Sequence, residues 1–142
     1  MECIKICFYS GLLFLINMAV AFYYKYYFYS VAFMLLTITS LCYHSHYTPF
    51  TRMVDKIAIC LVVFLGGYLF YNKANERTEE MTARQVILSL AIVGTFIFTL
   101  LLYYYGYVTS SFCYCEDTTT SDYFHAFLHA VCCLGHVCVT IL

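Results

Sequence analysis

The chain has 142 residues, 63% of them hydrophobic and only 11% charged, with a mean hydropathy of +0.80 and a formal net charge of -1. A water-soluble domain of this length has too little interior to hide that much apolar surface, so the composition predicts a multi-pass integral membrane protein. With no basic stripe, the chain also lacks the electrostatic footprint of a nucleic-acid partner.

Stretches free of Asp, Glu, Lys and Arg cover residues 6–24, 26–51, 57–72, 85–115 and 123–142. A membrane-crossing helix needs about 20 mostly apolar residues. The pattern therefore predicts an all-α transmembrane bundle, one membrane domain with about five spans, near 6–24, 27–47, 53–72, 85–107 and 122–142. A β-barrel would alternate apolar and polar residues, and these stretches do not.

The first stretch has two readings. Residues 1–5, 6–16 and Ala19-Val20-Ala21 match the three parts of a secretory signal. The apolar run is longer than such a signal needs, which favours a retained helix. The second stretch carries Ser40 and His44 near its end. Pro49 lacks an amide proton and disfavours helix at Thr48, so a turn is expected there.

The third stretch is too short to cross unless its helix begins near Met53, which would bring Asp55 into the first turn at the membrane edge. Residues 73–84 carry Lys73, Glu76, Arg77, Glu79, Glu80 and Arg84 and read as a solvated connector. The fourth stretch exceeds one span, so 109–115 is expected to leave the bilayer. A hydrophilic piece with Thr118-Thr119-Thr120 follows, and then the fifth span with His125, His129 and His136.

Tyrosines cluster at predicted span ends, at 23–29 and 103–107, as expected of an interfacial aromatic belt. Of nine cysteines most lie in apolar runs, where the thiol behaves as a small hydrophobe. Cys113-x-Cys115 lies near a loop and is open to oxidation or metal binding. The odd total leaves at least one cysteine without a partner in the chain.

Counting spans places the polar residues. If the first helix starts at side A, the second ends there with Ser40 and His44. The third starts there with Asp55, and the fifth starts there with His125 and His129. All five fall in one leaflet, although they come from distant parts of the sequence. Ser40 and His44 share a helical face, as do His125 and His129, because residues four apart are neighbours on a helix. His136 follows on that face but about 10 Å deeper, beyond reach of a shared ion.

An ionisable group inside a membrane span is costly and signals function by default. Catalytic zinc typically takes three protein ligands and keeps a position for water. His44, His125 and His129 can supply three neutral ligands, Asp55 a general base and acid, and Ser40 a hydroxyl for the substrate carbonyl or the water. Blander readings stand beside this. A lone His-x3-His also serves helix packing, Asp55 with Lys56 forms a plausible interfacial ion pair, and Ser45 and His46 belong to the loop. His136 reads as structural or as support behind the ligands, and Cys132-Cys133 as packing.

The pattern resembles a superfamily of intramembrane hydrolases and receptors that contains alkaline ceramidases, progestin/adiponectin-type receptors and GPI-anchor-remodelling phospholipases. Its shared residues fall on Ser40, His44, Asp55, His125 and His129. Ser40-Leu41-Cys42-Tyr43-His44 looks like the family's S-x-x-[FY]-H. The His44-to-Asp55 interval is closer to the ceramidase and GPI-lipase branches, and Asp122-x2-His125-Ala126-x2-His129-x6-His136 is similar to the GPI-lipase branch.

The resemblance implies zinc held by three histidines and a membrane lipid substrate, ceramide or an acyl phospholipid or GPI-like lipid, cleaved at an amide or ester. Leu128 stands where that family commonly has an aromatic, and the family has seven helices. Five helices would leave the substrate cavity more open, completed by a second copy of the chain in a homo-oligomer, or degenerate. Two rival classes remain: a non-catalytic lipid receptor or regulator that keeps zinc for structure, and a small channel-like protein whose histidines line an ion path. Basic residues divide between Lys5, Arg52 and Lys56 on side A and Lys25, Lys73, Arg77 and Arg84 on side B, which gives the positive-inside rule nothing to act on.

Overall fold

The structure, a computed structural model, describes residues 3–76 and 80–142, with side chains from Ile6 onward. Glu79, Arg77 and the Lys5 side chain, named above for the connector and the charge balance, lie outside the described residues. Five helical segments are long and apolar enough to cross a membrane: Ile6–Tyr23, Tyr27–Ser45, Pro49–Asn75, Ala83–Tyr114 and Thr118–Ile141. This is the all-α, multi-pass architecture expected.

The first span consists of α1 (Cys3–Gly11) and α2 (Phe14–Tyr23). They join at Leu12-Leu13, where the Leu12 and Leu13 amides donate three residues back, to Tyr9 and Ser10. At the end of α2, Lys25 takes φ 66°, while its amide reaches the Phe22 carbonyl and that of Tyr26 reaches Ala21. That left-handed turn closes the helix end and reverses the chain into α3 (Tyr27–Ser45).

Helix α4 (Pro49–Asn75) starts one turn before the expected Met53. Thr48 accepts a hydrogen bond from the Thr51 amide, Thr51 returns the favour to the Thr48 amide, and Pro49 sits at the first helical position. Asp55 therefore lies in the second turn rather than the first. Helix α5 (Ala83–Leu100) begins with the same device built from Thr82 and Gln85. Helix α7 (Thr118–Ile141) is capped by the Asp117 carboxylate on the Thr120 amide, so the threonine run forms its first turn. In each case polar capping residues extend the helix beyond the apolar run, and a search for charge-free stretches misses them.

Residues 109–115, expected to leave the bilayer, fold back against the bundle. After α5 the helix widens into a π turn (Leu101–Tyr105), continues as α6 (Gly106–Thr109), reverses at Ser110 with φ 54°, and closes in a 3-10 turn (Phe112–Tyr114). Cys113 is buried there with Leu102 and Leu128, and Ser121 Oγ donates to the Cys113 carbonyl at 2.6 Å.

Helix α7 is the central strut. It packs on α1, α2, α4 and α5, while α3 packs on α1, α2 and α4. One core joins Phe14 and Ala21 to Tyr29, Ala32, Phe33 and Leu36 and to Ala58 and Val62. A second joins Ile92 to Cys138 and Val139. At Gly135 α7 meets α5 so closely that an added Cβ would overlap the Thr95 hydroxyl, the close backbone approach that small residues allow between helices in lipid. Large apolar side chains such as Phe28, Phe64, Leu90 and Val108 point outward, as helices solvated by acyl chains require.

Direct contacts fix the directions of the spans. Ser10 reaches His129 and the Cys7 sulfur reaches Asp122, so the start of the first span lies beside the start of α7. At the opposite end Lys73 donates to the Val139 and Thr140 carbonyls at 3.1 and 2.7 Å, and Arg84 donates to the Ile141 carbonyl at 3.3 Å. These cations satisfy the last turn of α7, whose carbonyls have no partner within the helix.

Candidate metal centre

The last turn of α3 delivers His44, and the N-terminal half of α7 delivers His125 and His129 on one face. One ring nitrogen from each of the three lies within 4.8 Å of the others. The ring centroids stand 5.1 Å apart for His44 and His125, 5.5 Å for His44 and His129, and 4.8 Å for His125 and His129. The rings meet edge to face, at 85°, 69° and 85° respectively, so three imidazole edges converge on a common space instead of stacking. His129 is 7% exposed, and the other two are half-buried.

This donor set fits a metal ion. At zinc–nitrogen bonds near 2.0–2.1 Å, tetrahedral ligand atoms stand about 3.3 Å apart. Histidines already within 4.8 Å reach that spacing by inward side-chain adjustments of under about 1 Å each. Neutral imidazole suits zinc and several other transition metals.

The remaining predicted residues occupy the same end of the bundle in different settings. Ser40 is 2% exposed, one turn before His44 on α3. Asp55 is 4% exposed on α4, with Thr39 of α3 beside its carboxyl. Its Oδ1 is buried without a hydrogen-bond partner among the described residues. Asp55 does not join the cluster of ligand atoms. Neither do Cys113 and Cys115, which are free thiols. Lys56, next to Asp55, holds its ammonium 4.4 Å from the centre of the Tyr103 ring in the π turn, tying α4 to the end of the fourth span. His136 is also outside the cluster; its Nδ1 pairs with the Tyr29 hydroxyl.

Two contributors from the first span were not foreseen. Ser10 Oγ lies 2.8 Å from His129 Nδ1, and the Phe14 ring centroid lies 5.2 Å from that of His129. A serine in an apolar helix gives no signal alone. The available sign is a stripe at helical spacing, Cys7, Ser10, Phe14, Asn17 and Ala21, which mixes small and polar residues along one face.

No family model matches the chain, and no curated protein or solved structure matches it either. The family resemblance drawn from the sequence thus stands on residue spacing, and the candidate metal centre stands on the geometry of its three histidines.

Proposed function

We propose that the chain is a zinc-dependent intramembrane hydrolase that cleaves a lipid acyl amide or ester, in ceramide or in an acyl phospholipid or GPI-like lipid. The observation that carries this reading is the convergence of His44, His125 and His129, from two helices distant in sequence, on one point inside a membrane bundle. When bound there, zinc supplies Lewis acidity and activates water near neutral pH.

The chain's own residues supply the proton transfers. In hydrolysis the water oxygen bonds to the acyl carbon and the acyl C–N or C–O bond breaks. Asp55, whose Oδ1 is buried without a partner among the described residues, takes the proton from the water at that carboxylate oxygen and returns it to the leaving amine or alkoxide. Ser40, a turn from His44, keeps its proton and donates a hydrogen bond from its hydroxyl that polarises the substrate carbonyl or holds the water. A lipid suits a site set between spans whose outer faces are apolar, because its acyl chains remain in hydrocarbon while the polar linkage meets the histidines.

The test is fatty-acid release from labelled ceramide and from labelled acyl phospholipid by purified, zinc-replete protein in lipid nanodiscs. Release from one of the two classes, abolished by His44→Ala, is expected. Folded, zinc-loaded protein that releases fatty acid from neither class would contradict the proposal and favour a lipid-binding role.

A further inference from the structure

We infer that Ser10 is a positioning residue for the metal centre: it holds His129 as the Nδ1–H tautomer and thereby reserves Nε2 as that ring's ligand atom. The inference deepens the reading of the three histidines as a metal site and rests on it for its consequence, though not for its geometry.

A serine hydroxyl carries one proton and two lone pairs, whereas a backbone carbonyl only accepts. Ser10 Oγ lies 3.0 Å from the Cys7 carbonyl, one turn back on α1, and 2.8 Å from His129 Nδ1 on α7. Both contacts become hydrogen bonds in one arrangement only. The Ser10 proton goes to the Cys7 carbonyl, and a lone pair on Ser10 Oγ accepts from the proton on His129 Nδ1. A neutral imidazole with its proton on Nδ1 keeps its lone pair on Nε2, and the hydrogen bond made by one ring nitrogen decides which atom of the ring can ligate.

The rest of the surroundings agree. Phe14, one turn further along the first span, packs its ring edge to face with His129 and limits the ring's rotation. No comparable side-chain hydrogen bond holds His44 or His125 among the described residues. Of the three imidazoles, His129 is thus the one fixed in advance, and the first span is the element that fixes it. Hydrogen-bond partners behind metal-ligating histidines typically contribute 10–100-fold to metal affinity.

The experiment uses the full chain with 15N-labelled histidine in nanodiscs, stripped of metal, and reads the His129 tautomer from its ring-nitrogen resonances, assigned through His129→Asn. Wild type and Ser10→Thr are expected to show the Nδ1–H form, and Ser10→Ala to lose it. The Nε2–H form in wild type, or an unchanged Nδ1–H form in Ser10→Ala, would overturn the inference. Zinc competition against a chelator on the same samples is expected to show an affinity loss of about 10–100-fold in Ser10→Ala, restored by Ser10→Thr. Equal affinity in all three, with thermal melting confirming that each is folded, would also overturn it. If wild type takes up no zinc but shows the Nδ1–H tautomer, the proposed function fails while the assignment of Ser10 stands.

Discussion

His129 and His136 lie on the same face of the same helix, yet the two ends of the bundle treat them differently. Around His136 the polar groups are matched. Tyr29 meets Nδ1, Thr140 Oγ1 donates to the His136 carbonyl at 3.0 Å, and Lys73 closes the carbonyls at the helix end. Around His129 they are matched only in part, by Ser10 at Nδ1. Three histidines share one space, and Asp55 Oδ1 is buried with no hydrogen-bond partner among the described residues. Asn17 marks the boundary, since its Nδ2 donates to the Cys133 carbonyl at 3.0 Å while its Oδ1 is buried without a partner among the described residues. A buried polar group without a partner costs about 1–3 kcal/mol. The end that tolerates such groups is the one that carries the candidate metal centre, and the end that satisfies them is held together by its hydrogen bonds.

Substitutions should separate the two ends by what they damage. The largest expected effect is on turnover: Asp55→Asn should slow fatty-acid release by about 10²–10⁴-fold, the usual contribution of a positioned acid–base group, while zinc content stays unchanged. Turnover equal to wild type would remove Asp55 from the chemistry.

At the matched end the losses should be of stability alone. A Cβ at Gly66 would lie 2.7 Å from the Tyr29 hydroxyl and 3.0 Å from His136 Nδ1. Gly66→Ala should therefore destabilise the protein by about 1–3 kcal/mol through overpacking, measured by unfolding in mixed micelles, without loss of zinc. Tyr29→Phe should cost about 1–3 kcal/mol by orphaning His136, again with zinc retained. If either variant lost zinc while staying folded, the ends would not be separable.

The smallest effect concerns Asp117, where the Thr120 side chain and amide hold the carboxyl below the usual carboxylate range. A lowered pKa in the folded chain means the cap stabilises above the ordinary carboxylate pKa and is lost as pH falls through the lowered value. Hydrogen exchange in the first turn of α7 should therefore quicken as pH falls below the ordinary carboxylate range, and Asp117→Asn should abolish that dependence.

Much of this was legible in the sequence. Long charge-free stretches mark membrane spans because charge is what the bilayer rejects. The parity of five spans then suffices to bring His44, His125 and His129 to one end. The His136 assignment was legible too, from its depth along the helix. Helix starts were not, because Thr48, Thr82 and Asp117 cap helices by being polar, and a search for apolar runs discards them. Ser10 was hidden for a different reason. The stripe Cys7, Ser10, Phe14, Asn17 and Ala21 marks its face, but its role depends on which helix packs on that face, and that is a fact of packing between helices. The π turn and the folded-back 3-10 turn at Phe112–Tyr114 likewise answer to Leu128 and Ser121 across the bundle rather than to local propensity.

The most direct test of the central claim is zinc content per chain, by elemental analysis of protein purified in detergent without chelators, for wild type, His44→Ala and His125→Ala. The two substituted histidines sit on different helices, so the pair reports whether α3 and α7 share an ion. One zinc per chain in wild type and none in either variant is the predicted result. Folded wild type without zinc, or zinc kept by either variant, would contradict it.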